Sequence, residues 1–156
     1  MYKAAGLATL AVVANGAASD FPSFDPFHAN CAMTSSFAKP CHEIYTNVDG
    51  MTKDVTGPAN GKYKLKEEAL DAYIWTTRTT PVHKYVDDII FEFTAVGDSA
   101  CNVSSKSKSR TLSYYDYETN YCNMWNVLSR AGDMKDLKTN HCKWVPSDAT
   151  TRCAKY

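Results

Sequence analysis

Six cysteines place the tightest limit on how this chain can fold. They are Cys31, Cys41, Cys101, Cys122, Cys142 and Cys153. An even number of cysteines in an exported chain predicts a disulfide framework, here of up to three bridges, although sequence alone cannot choose among the possible connectivities. Proximity along the chain favours three local pairs. These are Cys31–Cys41, Cys101–Cys122 and Cys142–Cys153.

Residues 1–19 have the features of a secretory signal peptide, in the expected order. Lys3 supplies the positive charge, residues 4–14 are almost entirely apolar, and small residues follow at 16–19. The apolar run is too short to span a bilayer. We therefore predict a secreted, extracellular protein with a signal peptide at 1–19, one disulfide-stapled domain at 20–156 and no transmembrane segment. The alternatives are a buried N-terminal helix or a short membrane anchor.

The segment after Pro40 has the periodicity of an amphipathic helix. Apolar side chains recur at three- and four-residue spacing, which is the mark of one buried helical face. They belong to Cys41, Ile44, Tyr45, Val48 and Met51. Proline suits the first position of a helix, so we predict that the helix begins near residue 40.

Strands are predicted from alternating patterns at 61–65, 73–80, 85–94 and 101–113. In the last of these, hydroxyl side chains alternate with basic and apolar ones. One face would carry Ser105, Ser107, Ser109, Thr111 and Ser113, and the other Lys106, Lys108, Arg110, Leu112 and Tyr114. Turn chemistry at Thr119–Asn120 then predicts a hairpin completed by a short aromatic strand. Residues 20–40 and the segment after Leu128 are predicted as loops.

One helix followed by several antiparallel strands indicates an α+β protein. We expect an N-terminal amphipathic helix packed on a curved antiparallel β-sheet, stapled by disulfides. The alternative arrangement is a two-sheet sandwich with the helix at one end.

The serine ladder and the run Thr119-Asn120-Tyr121-Cys122-Asn123 resemble a family of small secreted, cysteine-containing proteins of algae, protists and plants. Two shorter matches are Gly61-Lys62-Tyr63 and Arg78-Thr79-Thr80, and the resemblance covers residues 41–128. The family is uncharacterised, so the resemblance implies no activity. Its members carry a cysteine and a glycine soon after the aromatic strand, where this chain has Ser129 and Arg130.

Candidate ligand-binding residues fall into a basic set and an aromatic set. A row of cations suits an anionic glycan, although a solvated strand edge guarded by lysines is the simpler interpretation. Aromatic rings can stack on sugars or line a pocket, and they also pack in ordinary cores. The candidates are Lys106, Lys108, Arg110, Trp75, Tyr114, Tyr115 and Trp125. Asn102 begins the only glycosylation sequon.

Other chemistries have weaker signals. Asp87, Asp88, Asp116, Glu118 and His83 are the acid–base candidates, but no catalytic motif surrounds them. Disulfide formation would consume the thiols of the two adjacent Cys/His pairs, so no metal or cofactor is predicted. A formal net charge of zero argues against nucleic acid as a partner.

These observations favour a secreted, non-catalytic binding protein for a small amphipathic ligand or glycan. A structural protein that self-assembles with other extracellular proteins in a cell coat is the second hypothesis, and a secreted hydrolase is the third.

Overall fold

The computed structural model describes residues 20–54 and 62–156. The predicted signal peptide lies outside these residues, as does Gly61. The elements are β1 (Asn30–Phe37), α1 (Cys41–Lys53), β2 (Tyr63–Ala69), β3 (Tyr73–Thr79), β4 (Val86–Val96), β5 (Ala100–Ser109), α2 (Thr119–Ala131), β6 (Met134–Asn140) and α3 (Ala149–Cys153). No helix in the described residues is long and apolar enough to cross a membrane.

The strands form one six-stranded antiparallel sheet in the order β2-β3-β4-β5-β1-β6. The α+β class is therefore confirmed, and the alternative of two packed sheets is wrong for the described residues. The predicted helix is present as α1, but it follows β1 and is not the first element.

The main core lies between α1, α2 and one face of the sheet. Alternation along β3, β4 and β5 directs one set of side chains to this face, as the sequence predicted. Fully buried members are Ile44, Val48, Ile74, Ile89, Phe91, Val103, Met124 and Leu128. A smaller cluster on the opposite face joins Phe21 to Tyr73, Trp75 and Ile90, so the segment before β1 covers part of that face.

Helix α2 replaces the aromatic strand predicted after Thr119. Its apolar side chains at Tyr121, Met124, Leu128 and Ala131 follow helical spacing and are buried. Asp116 stabilises the first turn, since its Oδ2 accepts a hydrogen bond from the backbone amide of Asn120 at 3.1 Å. The hairpin prediction was wrong because Thr119 and Asn120 are the first two residues of a helix and do not form a turn between strands.

Three further elements were predicted as loops. Strand β1 is an interior strand between β5 and β6, and β6 forms one edge of the sheet. Helix α3 follows near the end of the chain. Strand β6 is an edge strand that pairs only with β1 in the sheet. Its sequence, Met-Lys-Asp-Leu-Lys-Thr-Asn, has few apolar residues, as is common at a sheet edge.

All six cysteines are paired, but none of the predicted local pairs forms. The bridges are Cys31–Cys142, Cys41–Cys101 and Cys122–Cys153. Their sequence separations are 111, 60 and 31 residues. They tie β1 to the segment after β6, α1 to β5, and α2 to α3. The connectivity follows strand and helix packing, which chain proximity does not report.

Candidate functional site

A row of four polar side chains crosses one end of the sheet on the face that carries the helices. The strand register places Tyr63 opposite Arg78, Arg78 opposite Asp87, and Asp87 opposite Ser109. Each of these residues is buried, Arg78 to 1% exposure and Asp87 to 3%. Two ionisable groups therefore lie side by side where the rest of the face is largely apolar.

Three residues of this row, Arg78, Asp87 and Ser109, form part of the floor of a pocket of about 440 Å³. The turn between β3 and β4 forms one wall, the loop before α2 a second, and the C-terminal residues a third. The wall residues with apolar or aromatic surface are Pro81, Val82, Tyr85, Tyr115, Tyr117 and Tyr156. The pocket thus combines apolar sides with a polar floor, which is the usual character of a small-molecule site.

Arg78 is the most unusual group in the floor. Its two terminal nitrogens are buried and lack a hydrogen-bond partner among the residues described. The ring of Tyr156 lies 6.0 Å from the guanidinium carbon, at the limit of a cation–π contact. A buried charge is normally paired and hydrogen-bonded, because removing it from water is costly.

Asp87 is held by neighbours other than Arg78. Its Oδ2 accepts a hydrogen bond from the side-chain amide of Asn123 at 2.9 Å. Burial raises the pKa of this carboxyl, although hydrogen bonds from Asn123 and Ser109 and the charge of Arg78 act in the opposite direction. The carboxyl is consequently easier to protonate than an exposed aspartate.

The start of α2 is fixed against this floor by a chain of hydrogen bonds. Ser107 Oγ donates to Asn120 Oδ1 at 2.7 Å, and Asn120 Nδ2 donates to Asp116 Oδ2 at 2.9 Å. Tyr63 donates its hydroxyl proton to the carbonyl oxygen of Asn123 at 2.6 Å. These bonds fix the position of Asn120, which lines the pocket, and of Asn123, whose side-chain amide donates to Asp87. The serine row of β5 therefore faces inward.

The predicted basic row lies on the opposite face of the sheet, away from this pocket. Lys106 pairs with Glu92 at 3.2 Å, and Arg110 pairs with Asp88 at 2.6 Å. The sequence predicted these two acids as the partners, and that prediction is confirmed. Lys108 instead reaches Asp25, at 2.5 Å, in the segment before β1.

The predicted aromatic residues are dispersed. Trp75 is buried, packs on Phe21 and donates its indole proton to Asp88 at 2.9 Å. Trp125 packs partly against the main core. Tyr115 lines the pocket, and Tyr114 stands beside it in a ring contact of 5.1 Å. Of these four residues, only Tyr115 is part of the pocket.

The acid–base candidates are also divided. His83, Asp87 and Asp116 line the pocket. Asp88 lies on the other face of the sheet, and Glu118 is paired with Arg152 at 2.8 Å. Asp116 is already engaged at the start of α2 by Asn120, and Asp87 is engaged by Asn123.

Two other predictions concern the surface and metals. Asn102 is exposed on β5, where a glycan would be accessible. Among residues 20–54 and 62–156, no group of three or more His, Cys, Asp or Glu side chains is placed to hold a metal ion.

Sequence reasoning did not single out Arg78, but a signal for it was present. Arg78 shares one face of β3 with Ile74 and Thr76. Asp87 shares one face of β4 with Ile89 and Phe91. A charged residue at an inward-facing strand position is unusual enough to mark a site. Arg78 and Asp87 lie opposite each other only in the register in which β3 pairs with β4. The sequence of neither strand specifies that register.

Comparison with known proteins gives a family without an assigned activity. No curated protein matches the chain. Residues 12–131, more than half of the sequence, match a family described as "Protein of unknown function (DUF1499)". The chain belongs to the DUF1499 family.

Proposed function

We propose that this is an exported, non-catalytic binding protein that holds a small amphipathic molecule in the pocket at the Arg78 end of the sheet. The observation that carries the proposal is the pairing of aromatic walls with a buried polar floor in a volume of about 440 Å³. Pockets of this size and character are typical of small-ligand sites. Export is supported by the three disulfides, which are consistent with an oxidising compartment.

The wall of the pocket offers apolar contact area at little conformational cost. Tyr115 and Tyr117 are 60% and 69% exposed, and their rings lie 6.3 Å apart in a stacked arrangement. Tyrosine side chains have few rotatable bonds and present a flat apolar surface with a polar tip. A sugar ring or a small aromatic molecule would find the same kind of surface here.

The neutral fluorophore N-phenyl-1-naphthylamine provides a test, because its emission rises in apolar surroundings. We expect saturable binding to the native protein. Tyr117→Ala should weaken it by about tenfold, as expected for loss of an aromatic contact residue. Tyr114→Ala is the matched control, since Tyr114 is similarly exposed at 59% but does not line the pocket. Absence of saturable binding, or equal effects of the two substitutions, contradicts the proposal.

A cluster of three rings, of which Tyr114 and Tyr115 are exposed, favours self-assembly as a second candidate function. Tyr114, Tyr115 and Trp144 contact one another, with ring centroids 5.1 to 6.1 Å apart. Apolar surface of this kind often marks a protein–protein contact. Sedimentation velocity separates the two candidates: a monomer that binds the fluorophore supports the first, and a stable polymer supports the second.

A further inference from the structure

We infer that the ligand carries a carboxylate group and that Arg78 binds it at the bottom of the pocket. This inference rests on the proposed function, because it assigns the chemical class of the molecule that the pocket holds. It starts from the two terminal nitrogens of Arg78, which are buried and have no hydrogen-bond partner in the described part of the chain.

The guanidinium group has the geometry for this role. It presents parallel N–H donors that match the two oxygens of a carboxylate, and such paired bonds are among the strongest hydrogen bonds in proteins. Arg78 lies near the end of β3, which is paired on both sides, with β2 and with β4, so its backbone position is well defined. An anionic ligand would supply the hydrogen-bond partners that residues 20–54 and 62–156 do not.

The neighbouring acid does not serve as that partner. Asp87 lies opposite Arg78 in the register, but its Oδ2 is engaged by Asn123. Asn123 is itself fully buried in α2, so this bond is held firmly. No hydrogen bond joins Asp87 to the terminal nitrogens of Arg78, and these buried nitrogens belong to a residue that lines the pocket.

Asp87 also limits the charge of the ligand. A dianionic phosphate would place two negative charges beside this carboxyl in a site of low dielectric constant, where like charges repel strongly. A monoanionic carboxylate neutralises Arg78 with less repulsion. Burial raises the pKa of Asp87, and the protonated carboxyl would reduce the repulsion further. These charges favour a carboxylate over a phosphate.

The rest of the pocket describes the body of the ligand. Val82, Tyr115 and Tyr117 contribute apolar surface above the floor. Lys155 and Asp116 also line the pocket, so its rim carries one charge of each sign and adds no net attraction for an anion. The expected ligand is therefore an apolar or aromatic molecule with one carboxylate at its end.

Matched naphthalene compounds test the inference by displacement of N-phenyl-1-naphthylamine. The three probes are 1-naphthaleneacetate, its neutral amide 1-naphthaleneacetamide, and 1-naphthyl phosphate. In the native protein the acetate should bind at least about tenfold more tightly than the amide, as expected for charged hydrogen bonds to arginine. The phosphate should bind more weakly than the acetate.

Substitution of the arginine locates the preference. Arg78→Gln should abolish the difference in affinity between the acetate and the amide, measured against each other within that variant. Arg78→Lys keeps the positive charge but loses the paired N–H donors of the guanidinium group. It should retain part of the preference for the acetate over the amide. Arg130→Gln is the control, because Arg130 is exposed on α2, bonds only to Asn126 in the described residues and does not line the pocket; it should behave as the native protein.

The outcomes separate this inference from the proposed function. Equal affinities for acetate and amide, or a preference that survives Arg78→Gln, overturn the inference and leave the binding function intact. Tighter binding of the phosphate overturns the choice of carboxylate. Failure of the neutral fluorophore and of every naphthalene probe to bind contradicts the proposed function itself. The comparison of acetate with amide in the native protein holds even if a variant fails to fold.

Discussion

Arg78 and Asp87 face each other across β3 and β4, yet Asp87 bonds to Asn123 and the terminal nitrogens of Arg78 bond to none of the described residues. A stability-driven arrangement would join the two charges directly, since separating buried charges costs free energy. Binding sites commonly sacrifice stability in this way to keep groups ready for a ligand. The pair therefore predicts a specific dependence of stability on pH.

Asp87→Asn should stabilise the free protein at pH 7. The pKa of Asp87 is raised in the folded state, so folding disfavours its ionised form. This penalty is absent below the pKa of an unfolded aspartate, about 3.9, and develops as pH rises through the folded pKa. The melting temperature of the variant minus that of the native protein should therefore increase between about pH 3 and pH 7. A difference that stays constant or decreases over this range contradicts the role assigned to burial.

Asp25 should show the opposite dependence. The Lys108 ammonium, followed by His28, holds the pKa of the Asp25 carboxyl well below its usual range. The stabilisation is present above the unfolded pKa of about 3.9 and is lost as pH falls through the lowered folded pKa. Asp25→Asn should lower the melting temperature at pH 7 and have progressively less effect in acid. Equal losses at pH 7 and pH 2 would show that the ion pair does not anchor this segment.

Removal of the Cys122–Cys153 disulfide should lower both the free energy of unfolding and the affinity for the fluorophore. Replacing Cys122 and Cys153 by alanine opens a loop of 31 residues, which the chain-entropy model values at about 3–4 kcal/mol. It should also weaken fluorophore binding, because Tyr156 of the pocket wall donates its backbone N–H to the carbonyl of Cys153. Denaturant unfolding and fluorophore titration measure the two effects.

Cys31 and Cys142 provide the comparison. Their bridge closes a longer loop, with a separation of 111 residues, and neither cysteine lines the Arg78 pocket. The double alanine variant should lose about 4–5 kcal/mol in the same model and yet bind the fluorophore normally when folded. If it loses binding as severely as the Cys122/Cys153 variant, the wall role of the C-terminal residues is wrong.

Local patterns in the sequence were reliable where they reported local geometry. Alternation assigned the correct faces to Ile74, Ile89 and Phe91, and three- and four-residue spacing located α1. Strand β5 ends at Ser109, so Thr111 and Ser113, which the prediction placed in the same strand, lie beyond it. Strand alternation cannot show where a chain leaves the sheet.

The remaining differences involve contacts between distant parts of the chain. Cys31 meets Cys142 because β1 pairs with β6, and that pairing leaves no signature in either strand. The same limit applies to Arg78 and Asp87, whose inward positions were readable but whose proximity depends on register. In α2, the Thr119–Asn120 pair favours a turn by its own chemistry, whereas burial against the sheet determines the helix.

Lys106 and Arg110 should differ in their contribution to stability, although both belong to the basic row of β5. Lys106 and its partner Glu92 are partly exposed, at 39% and 27% of their side chains, so Lys106→Gln should cost only about 0–1 kcal/mol.

Asp88, the partner of Arg110, is 4% exposed. Arg110 donates to its two oxygens, at 2.6 and 2.8 Å. Removing these donors should cost about 1–3 kcal/mol, because in the described part of the chain the buried carboxylate then keeps only Trp75 and the more distant Lys66. Chemical denaturation of the two glutamine variants at pH 7 measures the difference. Equal losses would mean that Asp88 is satisfied without Arg110, and a change in carboxylate binding by either variant would place the anion site on the wrong face of the sheet.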